Sequence, residues 1–105
     1  MKKIYIAGKM TGVVGFNHEA FFESEEELKK LGLIVLNPAI LPLGLEHSEY
    51  MDICIPMVKC CDTIFMLSGY EGSVGAAMEL EQAKDLSMRV IHQNELQKII
   101  EDDLL

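Results

Sequence analysis

Asp62 to Leu86, DTIFMLSGYEGSVGAAMELEQAKDL, carries three local codes in succession. Thr63 to Leu67 is a continuous apolar run of strand length, Ser68 to Gly72 is a glycine-punctuated loop, and Ser73 opens a helix. A buried strand leading through a Gly-rich turn into a helix N-terminus is the usual anion site of α/β proteins. At about 100° per residue, Ala76, Leu80, Ala83 and Leu86 fall on one apolar arc, with Glu81, Gln82, Lys84 and Asp85 opposite. Glu79 falls between Ala83 and Leu86, on the side that faces the sheet. A carboxylate there loses hydration and requires donors or a chemical task. Gly75 and Ala76, one turn back, are small and leave room above it. The alternative is a boundary glutamate that snorkels to solvent.

Upstream, Lys3 to Ala7 (KIYIA) reads as a first buried strand. The loop Gly8 to Gly15 leaves its carboxyl end, where open α/β sheets bind ligands. Its glycines do not form GxGxxG, so a dinucleotide fingerprint is weak. Lys9 and Thr11 are the anion contacts this loop offers, with a solvated loop lysine as the ordinary alternative. Asn17 is positioned to cap a helix reaching about Leu31, with Ala20, Phe21, Leu28 and Leu31 as its stripe and Glu23 to Glu27 as its wet face. Gly32 is its expected C′ stop, with Leu33 as hydrophobic partner.

Leu33 to Leu36 is a short strand ended by Asn37-Pro38, and Ala39 to His47 is a loop of low charge. Ser48 is the expected cap of the next helix, with a kink or restart at Pro56. Tyr50, Cys54, Val58 and Cys61 share one face of it. Met88 to His92 is a last strand, and Glu95 to Ile100 a last amphipathic helix before an acidic tail. Strands alternating with helices imply an open parallel sheet: a three-layer Rossmann/flavodoxin-like α/β sandwich of four or five strands, with helices on both faces.

The 105 residues are expected to form one domain. Half are hydrophobic and the mean hydropathy is +0.18, which points to apolar surface covered in a homodimer or higher homo-oligomer. The formal charge is −8, from 9 basic and 17 acidic residues with no basic run, which argues against a nucleic-acid partner. Lys9 interrupts the first apolar run after five residues, so no signal peptide is expected, and Leu31 to Leu45 holds two prolines, so no membrane span is expected either. Cys54, Cys60 and Cys61 have no zinc spacing and read as free thiols of a reducing cytoplasm. His18, His47 and His92 form no motif and read as surface or loop residues. No metal or cofactor is expected.

The blocks Ile4-Tyr5-Ile6-Ala7-Gly8-x-Met10-Thr11-Gly12, Asn37-Pro38-Ala39, Cys61-Asp62 and Gly72-Ser73-x-Gly75-Ala76-x-x-Glu79 resemble the nucleoside 2-deoxyribosyltransferase-like superfamily over nearly the whole chain. A similarity to deoxynucleoside 5′-monophosphate N-glycosidases accompanies it. The resemblance implies that Glu79 is a nucleophile that forms a covalent glycosyl intermediate, with Tyr5 beside it. It implies a nucleoside or nucleotide site drawing on Gly8, Lys9, Met10, Ser73 and Gly75. A serine at position 73 is what the members acting on 5′-monophosphates carry, where members acting on free nucleosides have an aspartate; an N-cap is its plain alternative. The family's second acidic residue falls eight positions before Asp62, where this chain has Cys54. A thiol is a poor substitute for a carboxylic acid, and Tyr50 on the same face is the hydroxyl available instead. N-glycosidic cleavage or deoxyribosyl transfer is therefore the first expectation. A nucleotide-binding module without catalysis is the second, ahead of a NAD-cleaving enzyme of related fold and of a purely structural role.

Overall fold

The computed structural model describes residues 2–96. The β-branched and aromatic runs become strands and the periodic segments between them become helices: β1 (Lys3–Ala7), α1 (His18–Lys30), β2 (Ile34–Leu36), α2 (His47–Lys59), β3 (Thr63–Met66), α3 (Val74–Asp85) and β4 (Arg89–His92). All strand pairs are parallel, in the order β2-β1-β3-β4. The chain therefore starts mid-sheet, runs outward to β2, returns past β1 and runs outward again to β4. The direction reverses between β1 and β3, and in open α/β sheets that switch point is where a crevice forms at the strands' carboxyl ends.

Period-two alternation divides the core between two faces. Ile4, Ile6, Phe65, Leu67 and Ile91 meet Phe21 and Leu28 of α1 on one face. Tyr5, Ala7, Ile64 and Met66 meet Cys54 and Val58 of α2 and Ala76 and Ala83 of α3 on the other. Helices thus cover both faces of a four-stranded sheet, the three-layer α/β arrangement expected. At about 1.5–3 kcal/mol for each large apolar side chain taken out of water, these two clusters dominate the folding free energy.

The start of α1 departs from expectation. Asn17 precedes the helix but lies at φ 61°, its side chain makes no capping bond, and its Nδ2 donates to the Lys9 carbonyl across 2.9 Å. It ties the β1–α1 loop to itself instead of closing the helix. Phe16 shares this left-handed conformation at φ 53°, which costs a bulky residue about 1–2 kcal/mol. The acidic face of α1 is also not uniformly wet: Ser24 is buried, and Glu25 accepts from Asn37 Nδ2 at 3.1 Å. The C-terminal end is as expected, with the Gly32 amide donating to Lys29 and the Leu33 amide to Leu28 while Leu33 packs on the core.

α2 starts earlier than Ser48 because Glu46 takes the capping position and its amide donates to Glu49 Oε1 at 2.8 Å. The helix runs unbroken through Pro56, with no restart there, although the proline lacks the amide that would bond back to Asp52. Leu86 is 46% exposed, since it caps α3 and no longer follows the helical face. The final helix expected over Glu95 to Ile100 lies largely outside the described residues; Gln93–Glu95 form a short 3-10 turn.

Candidate active site

Strand β1 and helix α3 each deliver one polar side chain to the same buried point. Tyr5 faces α3 because it alternates with Ile4 and Ile6, and its hydroxyl donates to Glu79 Oε2 across 2.6 Å. Tyr5 is 0% and Glu79 5% exposed. Burial pushes the Glu79 carboxyl up to about 7, against the pull of the Tyr5 hydroxyl and the Cys54 thiol, both donors to its ionised form. Burial and the Glu79 charge hold the Tyr5 hydroxyl well above its ordinary range, so it stays a proton donor. Cys54, on the inward face of α2, is pushed up to about 11, chiefly by burial.

Above this cluster opens a cavity of about 490 Å³ at the switch point, with Glu79 as the only acidic side chain among its described lining residues. The β1–α1 loop contributes Gly8, Lys9, Met10 and Thr11, and the α3 start contributes Gly72 to Ala76. Phe21 and Pro38 close the side of α1 and β2, while His47, Tyr50, Met51 and Cys54 form the α2 wall. Gly8 is required by packing: a Cβ there would lie 2.7 Å from Leu67 Cδ1. Gly75 leaves ordinary contact distance, with Met51 Cε 3.4 Å, His47 Cε1 3.8 Å and Ser73 Oγ 3.9 Å from where its Cβ would stand.

Ser73 caps α3, its Oγ accepting from the Ala76 amide at 3.1 Å. The Val74 and Gly75 amides belong to the first turn, where no intrahelical acceptor exists. The Lys9 ammonium lies 3.0 Å from the position a Gly72 Cβ would take, beside this positive helix end. Hydroxyl, helix amides and ammonium thus converge at one end of the cavity, and the carboxylate lies at its floor.

Every residue singled out from the sequence reaches this place: Gly8, Lys9, Met10, Tyr50, Cys54, Ser73, Gly75 and Glu79 line the cavity, and Tyr5 lies beneath Glu79. Tyr50 differs in its chemistry. Its hydroxyl donates to the Pro42 carbonyl across 2.6 Å, so its proton secures the 38–46 loop and is not available to a ligand. His47, read from the sequence as a surface or loop residue, and Met51, not singled out, reach the cavity because α2 packs on α3 at Gly75, an approach no local pattern announces. Among the described residues no cluster of three His, Cys, Asp or Glu side chains is arranged to hold a metal ion, and no helix is long and apolar enough to cross a membrane.

The family model described as Domain of unknown function (DUF4406) matches residues 2–92. No curated protein matches. Among solved structures, the 2-desoxiribosyltransferase from Leishmania mexicana superposes with a TM-score of 0.70 at 22% identity, covering 88% of this chain and 63% of that one. The likeness is one of fold, and the chain spans less than two thirds of that enzyme's length.

Proposed function

We propose that this chain, which belongs to the DUF4406 family, cleaves or transfers the N-glycosidic bond of a (deoxy)nucleoside or its 5′-monophosphate. The observation that carries the proposal is the Tyr5–Glu79 pair, 2.6 Å apart and buried beneath a nucleoside-sized cavity at the switch point of the sheet. In this reading the ionised Glu79 attacks the anomeric carbon, the base departs, and a glycosyl–Glu79 ester forms. Water or an acceptor base then displaces it. Tyr5 aims the carboxylate and holds the ionised form within reach at neutral pH. Ser73, the first-turn amides of α3 and Lys9 take a 5′-phosphate, for which a serine is suited and an aspartate would be repulsive. The fold shared with an enzyme that transfers deoxyribosyl groups supports the reaction class. A cytoplasmic location belongs to the same reading, as does a homo-oligomer, the latter supported by Val14, Ile40, Leu43 and Val74, each more than half exposed.

The test is release of free base from purified deoxynucleosides and their monophosphates, abolished in Glu79→Ala, with a glycosyl mass adduct on the Glu79 peptide of the wild type. A second reading, a nucleotide-binding module without turnover, is favoured by Cys54 standing where a general acid is needed. Calorimetric binding of a nucleotide recovered intact after long incubation would establish it in place of the first.

A further inference from the structure

Departure of a neutral nucleobase leaves its nitrogen anionic unless a proton arrives, and a positioned acid is worth roughly 10²–10⁴-fold in rate. The described walls of this cavity supply no such acid at the depth of Glu79. The residue facing the carboxylate from α2 is Cys54, a thiol buried in the same apolar packing and pushed up to about 11. Tyr5 already donates to Glu79, and Tyr50 donates to Pro42. His47 stands two helical turns from Cys54, about 10 Å along the axis, beside Gly75 and Ser73 at the anion end. Lys9 lies at that end as well, over Gly72. Glu79 itself cannot serve as acid while it is the nucleophile.

The same inventory suits a different leaving group. Among the described residues the cavity floor carries one buried carboxylate and no second acid, and Phe21 and Tyr50 contribute aromatic rings to its walls. Resting on the glycosidic reading above, we infer that the preferred substrates are N-glycosides whose base bears a fixed positive charge, a pyridinium or an N7-alkylated purine. In that reaction a Glu79 carboxylate oxygen forms a bond to the anomeric carbon as the carbon–nitrogen bond breaks. The bonding pair returns to the cationic ring nitrogen, which becomes neutral and leaves without accepting a proton. Water then attacks the glycosyl ester, its proton passes to solvent, and the Glu79 carboxylate is restored. The cationic ring also favours the ionised state of the facing carboxylate, so substrate binding prepares the nucleophile.

The experiment compares 7-methyl-2′-deoxyguanosine 5′-monophosphate with unmodified 2′-deoxyguanosine 5′-monophosphate at about pH 6.5, where the methylated ring keeps its N1 proton and with it the net positive charge, each rate divided by its spontaneous rate in the same buffer. Wild-type acceleration is expected to be at least about 100-fold greater for the methylated nucleotide. In Cys54→Asp the ratio is expected to fall at least tenfold, because an acid has been restored; melting curves establish that the variant is folded, and the wild-type pair decides the question if it is not. Equal acceleration of the two nucleotides overturns this inference and leaves the glycosidic reading standing. Absence of base release from both overturns that reading and this one together.

Discussion

The hydroxyl of Tyr5 and the carboxylate of Glu79 meet across 2.6 Å although 74 positions separate them in the chain. The contact bolts the central strand β1 to α3 and determines how much of Glu79 is ionised. Tyr5→Phe retains the ring and removes the donor. A hydrogen bond to a charged group is worth about 1.5–3 kcal/mol, or roughly one to two pH units. The Glu79 titration, already raised to about 7, is therefore expected to move further up. A pH–rate profile should show the acidic limb displaced to the alkaline side, with activity at pH 7 reduced about tenfold or more and largely recovered near pH 9.

Glu79 also makes stability depend on pH. Its carboxyl titrates near 4.5 when unfolded and about 7 when folded, so between those values the folded chain holds more protons. Stability contributed by the protonated form is complete below about pH 4.5 and lost as pH rises through 7, by up to about 3 kcal/mol. Glu79→Gln is expected to remove this slope, matching the wild type near pH 4 and exceeding its stability at pH 8. Denaturant titrations at the two pH values check it. A wild type that loses no stability relative to the glutamine variant over this range would contradict the raised titration.

How much of this site can be read without coordinates depends on how local its causes are. Glu79 is legible because a helical wheel suffices to place it on the buried side, and Ser73 because a cap and its helix are neighbours in sequence. Gly32 and Leu33 close α1 for the same reason. Asn17 misleads because a left-handed run through Gly15, Phe16 and Asn17 turns its side chain toward Lys9. Ser48 misleads because Glu46 and Glu49 form a competing cap two residues earlier. Tyr50 lies on the anticipated face, yet a carbonyl in the preceding loop takes its proton. His47 reads as a surface or loop residue and is exposed, yet the tertiary approach of two helices at Gly75 also brings it to the cavity. Period and capping are written in short stretches; the partners of polar groups are chosen by packing.

Two glycines at the cavity should respond in opposite ways to an added methyl group. At Gly8 the new Cβ would meet Leu67 at 2.7 and 2.9 Å, so Gly8→Ala is expected to destabilise by about 1–3 kcal/mol. At Gly75 the nearest atom is the flexible end of Met51 at 3.4 Å, and replacing a helical glycine with alanine is worth roughly 1 kcal/mol. Gly75→Ala should therefore melt higher than wild type and bind a nucleotide more weakly, because the methyl group enters the space between Ser73 and His47. Calorimetry and thermal melting on both variants separate these effects.

Ser73 combines two tasks that substitution can separate. Its Oγ accepts from the Ala76 amide, and removing such a cap costs about 1 kcal/mol, so Ser73→Ala should lose both stability and any hold on a phosphate. Ser73→Asp retains a capping acceptor and places a negative charge at the positive end of α3, which keeps or raises helix stability. The same charge opposes a dianionic phosphate beside Lys9 and leaves a free 5′-hydroxyl welcome. The aspartate variant is thus expected to melt within a degree or two of wild type while its preference moves from 5′-monophosphates toward nucleosides by about tenfold or more, a difference of about 1.4 kcal/mol. Competition binding with matched nucleoside and nucleotide pairs measures this. If Ser73→Asp keeps the wild-type preference, Ser73 acts only as a cap and the anion subsite at the start of α3 has to be abandoned.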